Sequence, residues 1–255
     1  MAIDIAVIGA GWYGCHMALS LKTLGFNVTV FERGSRLLNE ASGNNQFRLH
    51  LGFHYSRHHG TRIQSRNGFM RFIERYPSLS REVPENIYAV PREESLIDFP
   101  TFRLIMTSSG LDFRELRENT AGLLNVDGMV LSDERVLLTE RARSYFLSHL
   151  TDCIRFNTNV SNIESLRYNV KVEGAAFDFI VDCTWGHLGG MPARVFFEPT
   201  ILLYYEAEDP FPAITLVDGD LGSIYPTEDP NIYTLSSVPH TVPLQNESQF
   251  RKPPL

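Results

Sequence analysis

The chain has 255 residues, 43% of them hydrophobic and 21% charged, with a formal net charge of -7. That length suits one large domain or two small ones around an ordinary buried core. The acidic balance argues against nucleic acid or an anionic membrane surface as the main partner, and no apolar run reaches the about 18 residues of a membrane helix.

The opening "MAIDIAVIGAGWYG" enters a strand pattern at once, without a basic segment or a cleavage-like site, so it does not read as a signal peptide. Residues 3–8 form a short apolar run typical of a strand buried on both faces. Gly9, Gly11 and Gly14 then make a GxGxxG loop. Met17, Leu21 and Leu24 follow at helical spacing, with Gly25 where a helix end favours glycine. Residues 27–31 are a second β-branched strand, ending at Glu32, 23 residues after Gly9. Gly9 permits the tight turn, Gly11 lets a pyrophosphate approach the backbone, and Gly14 lets helix and strand pack closely. The helix N-terminus offers N–H groups and a positive dipole end to phosphates, while Glu32 can accept from ribose hydroxyls and would repel a 2′-phosphate. All four markers coincide, which predicts dinucleotide binding. Cys15 reads as a small buried hydrophobe.

Residues 41–60, "ASGNNQFRLHLGFHYSRHHG", are less usual. From Phe47 to Tyr55 the odd positions are apolar or aromatic, and Arg48, His50, Gly52, His54 and Ser56 fall between them, which predicts a strand over 47–56. Cations around a bare glycine suit a group that carries or develops negative charge, such as a substrate carboxylate. Arg48 can pair with a carboxylate through two N–H groups, and His50 can take a proton at neutral pH. The competing reading is that Arg48 serves a structural acid and the histidines are satisfied core groups. His54, His58 and His59 lack the Cys and acid partners of a zinc site, so a solvated loop, with no metal, is expected there. Residues 61–76 read as a helix with Ile63, Phe69, Phe72 and Ile73 inward.

Residues 78–130 alternate short strands with a possible helix over 95–108, and a second helix is expected over 134–150. "NVSNIES", "RYNVKVEG" and "FDFIVDCTWG" then read as a three-strand meander returning to the first sheet. Residues 194–240 are strand-rich and carry Tyr204, Tyr205, Tyr225 and Tyr233. The proline-rich 241–255 reads as a tail. Cys15, Cys153 and Cys183 form no CxxC pair, so free thiols and a cytoplasmic location are expected, and the sequons at Asn159 and Asn246 read as chance.

Two stretches carry a family likeness. "VIGAGWYGCHMALSLKTLGFNVTVFER" and "ASGNNQFRLHLGFHYSR" resemble the opening and second motifs of FAD-dependent oxidoreductases of the D-amino-acid oxidase and glycine oxidase type. Asn45, His50, Gly52 and Tyr55 are spaced as in the L-2-hydroxyglutarate oxidase branch. The resemblance implies an α/β fold: a Rossmann-like FAD-binding domain from 1–77 and 131–190, and a second, mostly antiparallel β (α+β) substrate domain from 78–130 and 191–240. It implies FAD contacts from Gly9, Gly11, Gly14, Glu32, Arg33, Ser42, Asn45 and Gly52, from the backbone of Val160, and at Gly186. "DCTWG", residues 182–186, stands where the family has smaller residues. His50 and Arg48 are the expected catalytic residues, with Tyr225 facing the substrate. The implied activity is oxidation of a small amine, amino acid or 2-hydroxy acid, possibly sugar-linked, by hydride transfer to flavin. Family members are longer and close the flavin site with a late glycine-rich segment that has no counterpart after Gly190. The alternative is therefore a catalytically incomplete relative that serves as a nucleotide-binding or interaction protein. A tRNA-modifying role also exists within this fold, but the acidic charge weighs against it. A small-molecule substrate is the expected partner, and the sequence sets no oligomeric state.

Overall fold

The architecture comes from a computed structural model that describes residues 2–116, 122–188, 200–219 and 222–237. The expected tail, with Asn246, lies outside the described residues. In chain order the first elements are β1 (Asp4–Ile8), α1 (Trp12–Thr23), β2 (Asn27–Phe31), β3 (Arg48–Leu49), α2 (His59–Arg75), β4 (Ser80–Glu82) and β5 (Asn86–Pro91). Next come α3 (Phe99–Ser108), β6 (Arg114–Leu116), β7 (Val126–Ser132), β8 (Arg135–Leu137), α4 (Thr139–Leu150) and β9 (Ile154–Arg155). The remainder is strand: β10 (Ile163–Ser165), β11 (Val170–Val172), β12 (Ala175–Phe177), β13 (Phe179–Asp182), β14 (Leu203–Glu206), β15 (Ala213–Leu216), β16 (Gly222–Pro226) and β17 (Ile232–Ser237). The chain divides into two compact units, one within Met1–Asn45 and Thr139–Phe197, the other within Gln46–Leu138 and Glu198–Gln245.

The first unit is built on a parallel sheet in the order β13-β1-β2-β9. Ile5, Ala6, Val7 and Ile8 are all buried, as a central parallel strand with both faces covered requires. The α1 helix ends as its sequence predicts: Gly25 follows the last turn at φ 89°, a conformation that costs glycine little. The β10-β11-β12 meander adds Val172 and Phe177 to a cluster with Ala6, Ile8, Phe31 and Val160. Its third strand is residues 175–177, and β13 is a separate strand that joins β1.

The second unit holds a seven-stranded sheet, β14-β17-β16-β15-β5-β7-β6, in which only β15 and β5 run parallel. A smaller antiparallel sheet, β3-β8-β4, belongs to the same unit. The α3 helix buries Phe102 and Met106 against Phe53, Tyr88, Val90 and Val130. Asp98 caps its start, accepting from Thr101 N at 2.8 Å. One unit is Rossmann-like and the other mostly antiparallel, which matches the expected fold class.

The strand expected over 47–56 stops at Leu49, and the reason is visible in the backbone. Leu51 N donates to the Glu134 carboxylate at 2.7 Å instead of to a neighbouring strand. Gly52, at φ 118°, then opens a turn closed by Tyr55 N on Gly52 O at 3.0 Å. The expected helix over 61–76 begins earlier because His58 caps it, its Nδ1 accepting from Thr61 N at 3.0 Å. The helix expected from 134 begins at Thr139, since residues 135–137 pair as β8 with both β3 and β4.

Candidate functional site

In the first unit the glycine loop is tightly organised. Gly9, at φ 94°, sits under Cys183, whose carbonyl oxygen would lie 2.8 Å from a Cβ placed there. A Cβ on Gly14 would come within 1.8 Å of Gly9 O, so α1 reaches the strand only through glycine. The open side of the loop is Gly11, where a Cβ would meet only the Ser42 side chain. Ser42 Oγ accepts from Trp12 N, the first helical N–H, at 3.1 Å. No acidic side chain stands in the first turn of α1, so nothing there offsets the positive end of its dipole toward an anion.

Glu32 is buried at 7% exposure, and each of its carboxylate oxygens takes a backbone N–H: Oε2 from Ala10 at 2.7 Å, Oε1 from Gly34 at 2.7 Å. It therefore clamps the glycine loop to the end of β2 while keeping lone pairs for further donors. Arg33 pairs with Glu40 at 3.5 Å on the surface. The amide of Asn45 turns back onto Ala41 O at 2.8 Å and holds the Ser-Asn turn. Arg143 of α4, which sequence reasoning did not single out, anchors the same loop by donating to Leu37 O at 3.0 Å and Leu38 O at 2.8 Å. Val160 is buried, and Gly186 is exposed at φ 83°. Burial, then Glu32 and Cys183, pushes the Cys15 thiol up to about 12, so it is no nucleophile. A buried acid, a helix end free of acidic side chains and a loop open only at Gly11 fit a dinucleotide pyrophosphate and its ribose.

In the second unit Arg48 is the centre. It is only 8% exposed, and its guanidinium lies over the Tyr225 ring, 4.0 Å from the centroid. Its Nη1 donates to Thr215 Oγ1 at 2.5 Å. Its Nε and Nη2 are buried and have no hydrogen-bond partner among the described residues. These two groups form one edge of the guanidinium, the edge that receives both oxygens of a carboxylate. Tyr225 itself is fully buried, its hydroxyl donating to Arg135 O at 3.3 Å, and burial raises its phenol. Its place in the cluster is as the platform under Arg48.

His50 lies beside Arg48. Burial, then the Arg48 charge, pushes its imidazole down to about 3, so it is neutral at pH 7. Its ring is 5.9 Å from that of His54 and 5.8 Å from that of Tyr55. Gly52 does not present an empty face: a Cβ there would meet Arg62 O at 2.8 Å. Tyr204 and Tyr205 are exposed on β14, the edge strand of the large sheet. Tyr233 stacks on Phe211 at 4.0 Å and is engaged through its hydroxyl.

Sequence reasoning passed over Glu134. Its carboxylate is completely buried and accepts from Leu51 N at 2.7 Å, Tyr88 Oη at 2.8 Å and Asn86 Nδ2 at 3.3 Å. Burial pushes it up, against the Arg48 charge and these three hydrogen bonds. The available signal was an acid two residues before the buried Val136, in a segment expected to be helix.

Comparisons with known proteins supply the family. The sequence pattern of the family described as "DAO: FAD dependent oxidoreductase" matches residues 4–232. FAD-dependent monooxygenase FPY4 of Fusarium mangiferae is 55% identical over 238 residues, 93% of this chain and 64% of its own length. The chain thus spans less than two thirds of that relative. Among solved structures, L-α-glycerophosphate oxidase of Mycoplasma pneumoniae with FAD bound aligns over 93% of this chain and 72% of its own, at TM-score 0.68 and 15% identity. Glycine oxidase of Bacillus cereus aligns over 91% and 70%, at TM-score 0.63 and 16% identity. These two likenesses are of fold. The match over residues 4–232 is of family, and by it the chain belongs to the DAO family of FAD-dependent oxidoreductases.

Proposed function

We propose that the chain oxidises a small amine, amino acid or 2-hydroxy acid with FAD as its cofactor. The observation that carries this reading is the buried, unpartnered Nε–Nη2 edge of Arg48 beside a neutral His50. Unsatisfied buried N–H groups on a cation are costly unless a ligand completes them. A carboxylate is the ligand that matches their fork.

On this reading the first unit holds the dinucleotide. Gly9, Gly11 and Gly14 with the start of α1 take the pyrophosphate, and Glu32 takes a ribose. Arg33, Ser42 and Asn45, the Val160 backbone and Gly186 line the rest. Bound FAD supplies the two-electron acceptor for a hydride from the substrate carbon. The chain's own groups do the rest. Arg48 orients the substrate through its carboxylate, Thr215 and Tyr225 fix Arg48, and His50 accepts the hydroxyl or amine proton.

The test is reconstitution with FAD, followed by an anaerobic screen of amines, amino acids and 2-hydroxy acids for bleaching of the flavin absorbance. Reduction by a carboxylate-bearing substrate is expected, and Arg48→Met should lower kcat/KM about 10²–10³-fold while FAD stays bound. Bleaching that Arg48→Met leaves unchanged would remove the carboxylate role. FAD binding with no reduction by any compound would favour the nucleotide-binding or interaction reading. A second reading rests on the 55% identity to a protein described as a monooxygenase. Incorporation of ¹⁸O from labelled oxygen into product would select it.

A further inference from the structure

We propose that Glu134 is the positioning residue of this site: it holds the His50 imidazole with its proton on Nδ1, leaving Nε2 as the atom that accepts the substrate proton. The proposal rests on His50 being the proton acceptor, as above. Three facts of geometry point to it. His50 Nδ1 is buried and makes no hydrogen bond, and the carboxylate oxygen nearest to it is Glu134 Oε1, 3.9 Å away. The His50 side chain as a whole is 26% exposed, so its open edge is the opposite one, where Nε2 lies. And Glu134 cannot swing away, because Leu51 N, Tyr88 Oη and Asn86 Nδ2 pin both its oxygens.

At 3.9 Å no hydrogen bond is formed, yet the electrostatics already choose between the tautomers. With the proton on Nδ1, an N–H dipole points at the carboxylate. With it on Nε2, a lone pair would face a buried negative oxygen, which is unfavourable where little solvent screens it. When the substrate O–H or N–H bond breaks, its proton goes to Nε2 and the ring becomes cationic. Its Nδ1–H then faces the Glu134 carboxyl, and a small ring rotation closes the hydrogen bond. The other groups that act on Glu134 and His50 are Arg48 on β3, His54 and Tyr55 in the following loop, Tyr88 on β5 and Tyr225 on β16. Of these, Arg48 opposes a second positive charge on His50.

The deciding experiment needs neither substrate nor FAD. Long-range ¹H–¹⁵N spectra of ¹⁵N-histidine-labelled protein report the tautomer of each of the 8 histidines, with His50→Gln assigning the His50 signals. At neutral pH the wild type should show His50 protonated on Nδ1, and Glu134→Gln should move the proton toward Nε2. A wild-type His50 protonated on Nε2 overturns the proposal, whatever the variants do. Should Glu134→Gln fail to fold, Glu134→Asp keeps the charge and should keep the tautomer. With any substrate found in the screen, Glu134→Gln should slow flavin reduction about 10²-fold with KM little changed, and Glu134→Asp should recover part of the rate. An unchanged rate and an unchanged tautomer in Glu134→Gln would also overturn the proposal. If FAD does not bind, or no substrate is found, the functional reading fails by itself and the tautomer still decides this one.

Discussion

The Glu32 and Arg48 clusters satisfy their buried polar groups in opposite ways. In the first, the acid at the end of β2 is filled by near neighbours: Glu32 takes the N–H groups of Ala10 and Gly34, and Ser42 takes that of Trp12. In the second, the cluster is drawn from distant segments, and Arg48 reaches Thr215 across 167 residues of sequence while two of its N–H groups stay unmet. The first arrangement is a finished scaffold that offers backbone donors to an anion. The second is unfinished without a ligand, and so it is where recognition and chemistry belong.

The largest effect should come from the scaffold. Gly14→Ala puts a methyl 1.8 Å from Gly9 O, a distance no rotamer relieves. Either α1 or β1 must shift, so the variant should lose about 3 kcal/mol or more of stability and fail to retain FAD. Thermal unfolding and flavin titration check it. Retention of wild-type FAD affinity would show that the loop is not held by this contact.

A smaller effect should follow from Glu32→Gln. The amide keeps one acceptor oxygen but turns an NH₂ toward a second backbone donor, leaving Ala10 N or Gly34 N unpaired. The cost should be about 1–3 kcal/mol in stability, with weaker FAD binding on top. Equal losses in stability and none in FAD affinity would make Glu32 a clamp alone. That outcome would sharpen the contrast, since the first unit would then hold its buried acid for structure only.

The same contrast explains what could be read from the sequence. Gly9, Gly11, Gly14 and Glu32 lie within one βαβ stretch whose spacing encodes their mechanics, so their loop and the fold around them were legible. Arg48 and His50 were legible as residue types out of place on a strand, though the strand itself stops at Leu49. Glu134, Thr215 and Arg143 were not, because each acts through a partner brought near only by sheet pairing or helix packing. Glu134 replaces the ladder at Leu51, so the residue that ends the strand is invisible to the alternation that predicts it.

Acid offers the gentlest way to load the second cluster. His50 is held at about 3 in the folded protein, against an ordinary value near 6.5, by burial and by Arg48. The unfolded chain therefore binds a proton at His50 that the folded one refuses between those values, and stability falls as pH drops through that window. Glu134 works the other way: its folded value is raised, so the folded state takes up a proton first and gains as pH falls. The wild-type slope contains both, together with the other carboxylates and with His54, which burial and then His50 and Arg48 hold at about 4, so the difference between two proteins reports His50 and its pull on His54. Replacing His50 by Gln removes the refused proton while Glu134 stays in place. Because the side chain is 26% exposed, part of the effect is screened, and the wild type should lose about 1–3 kcal/mol more than His50→Gln between pH 7 and pH 4. Urea unfolding of both proteins across that range measures it. Parallel curves would mean that His50 accepts its proton in the folded state as readily as in the unfolded one, and that Glu134 already balances the Arg48 charge before any substrate arrives.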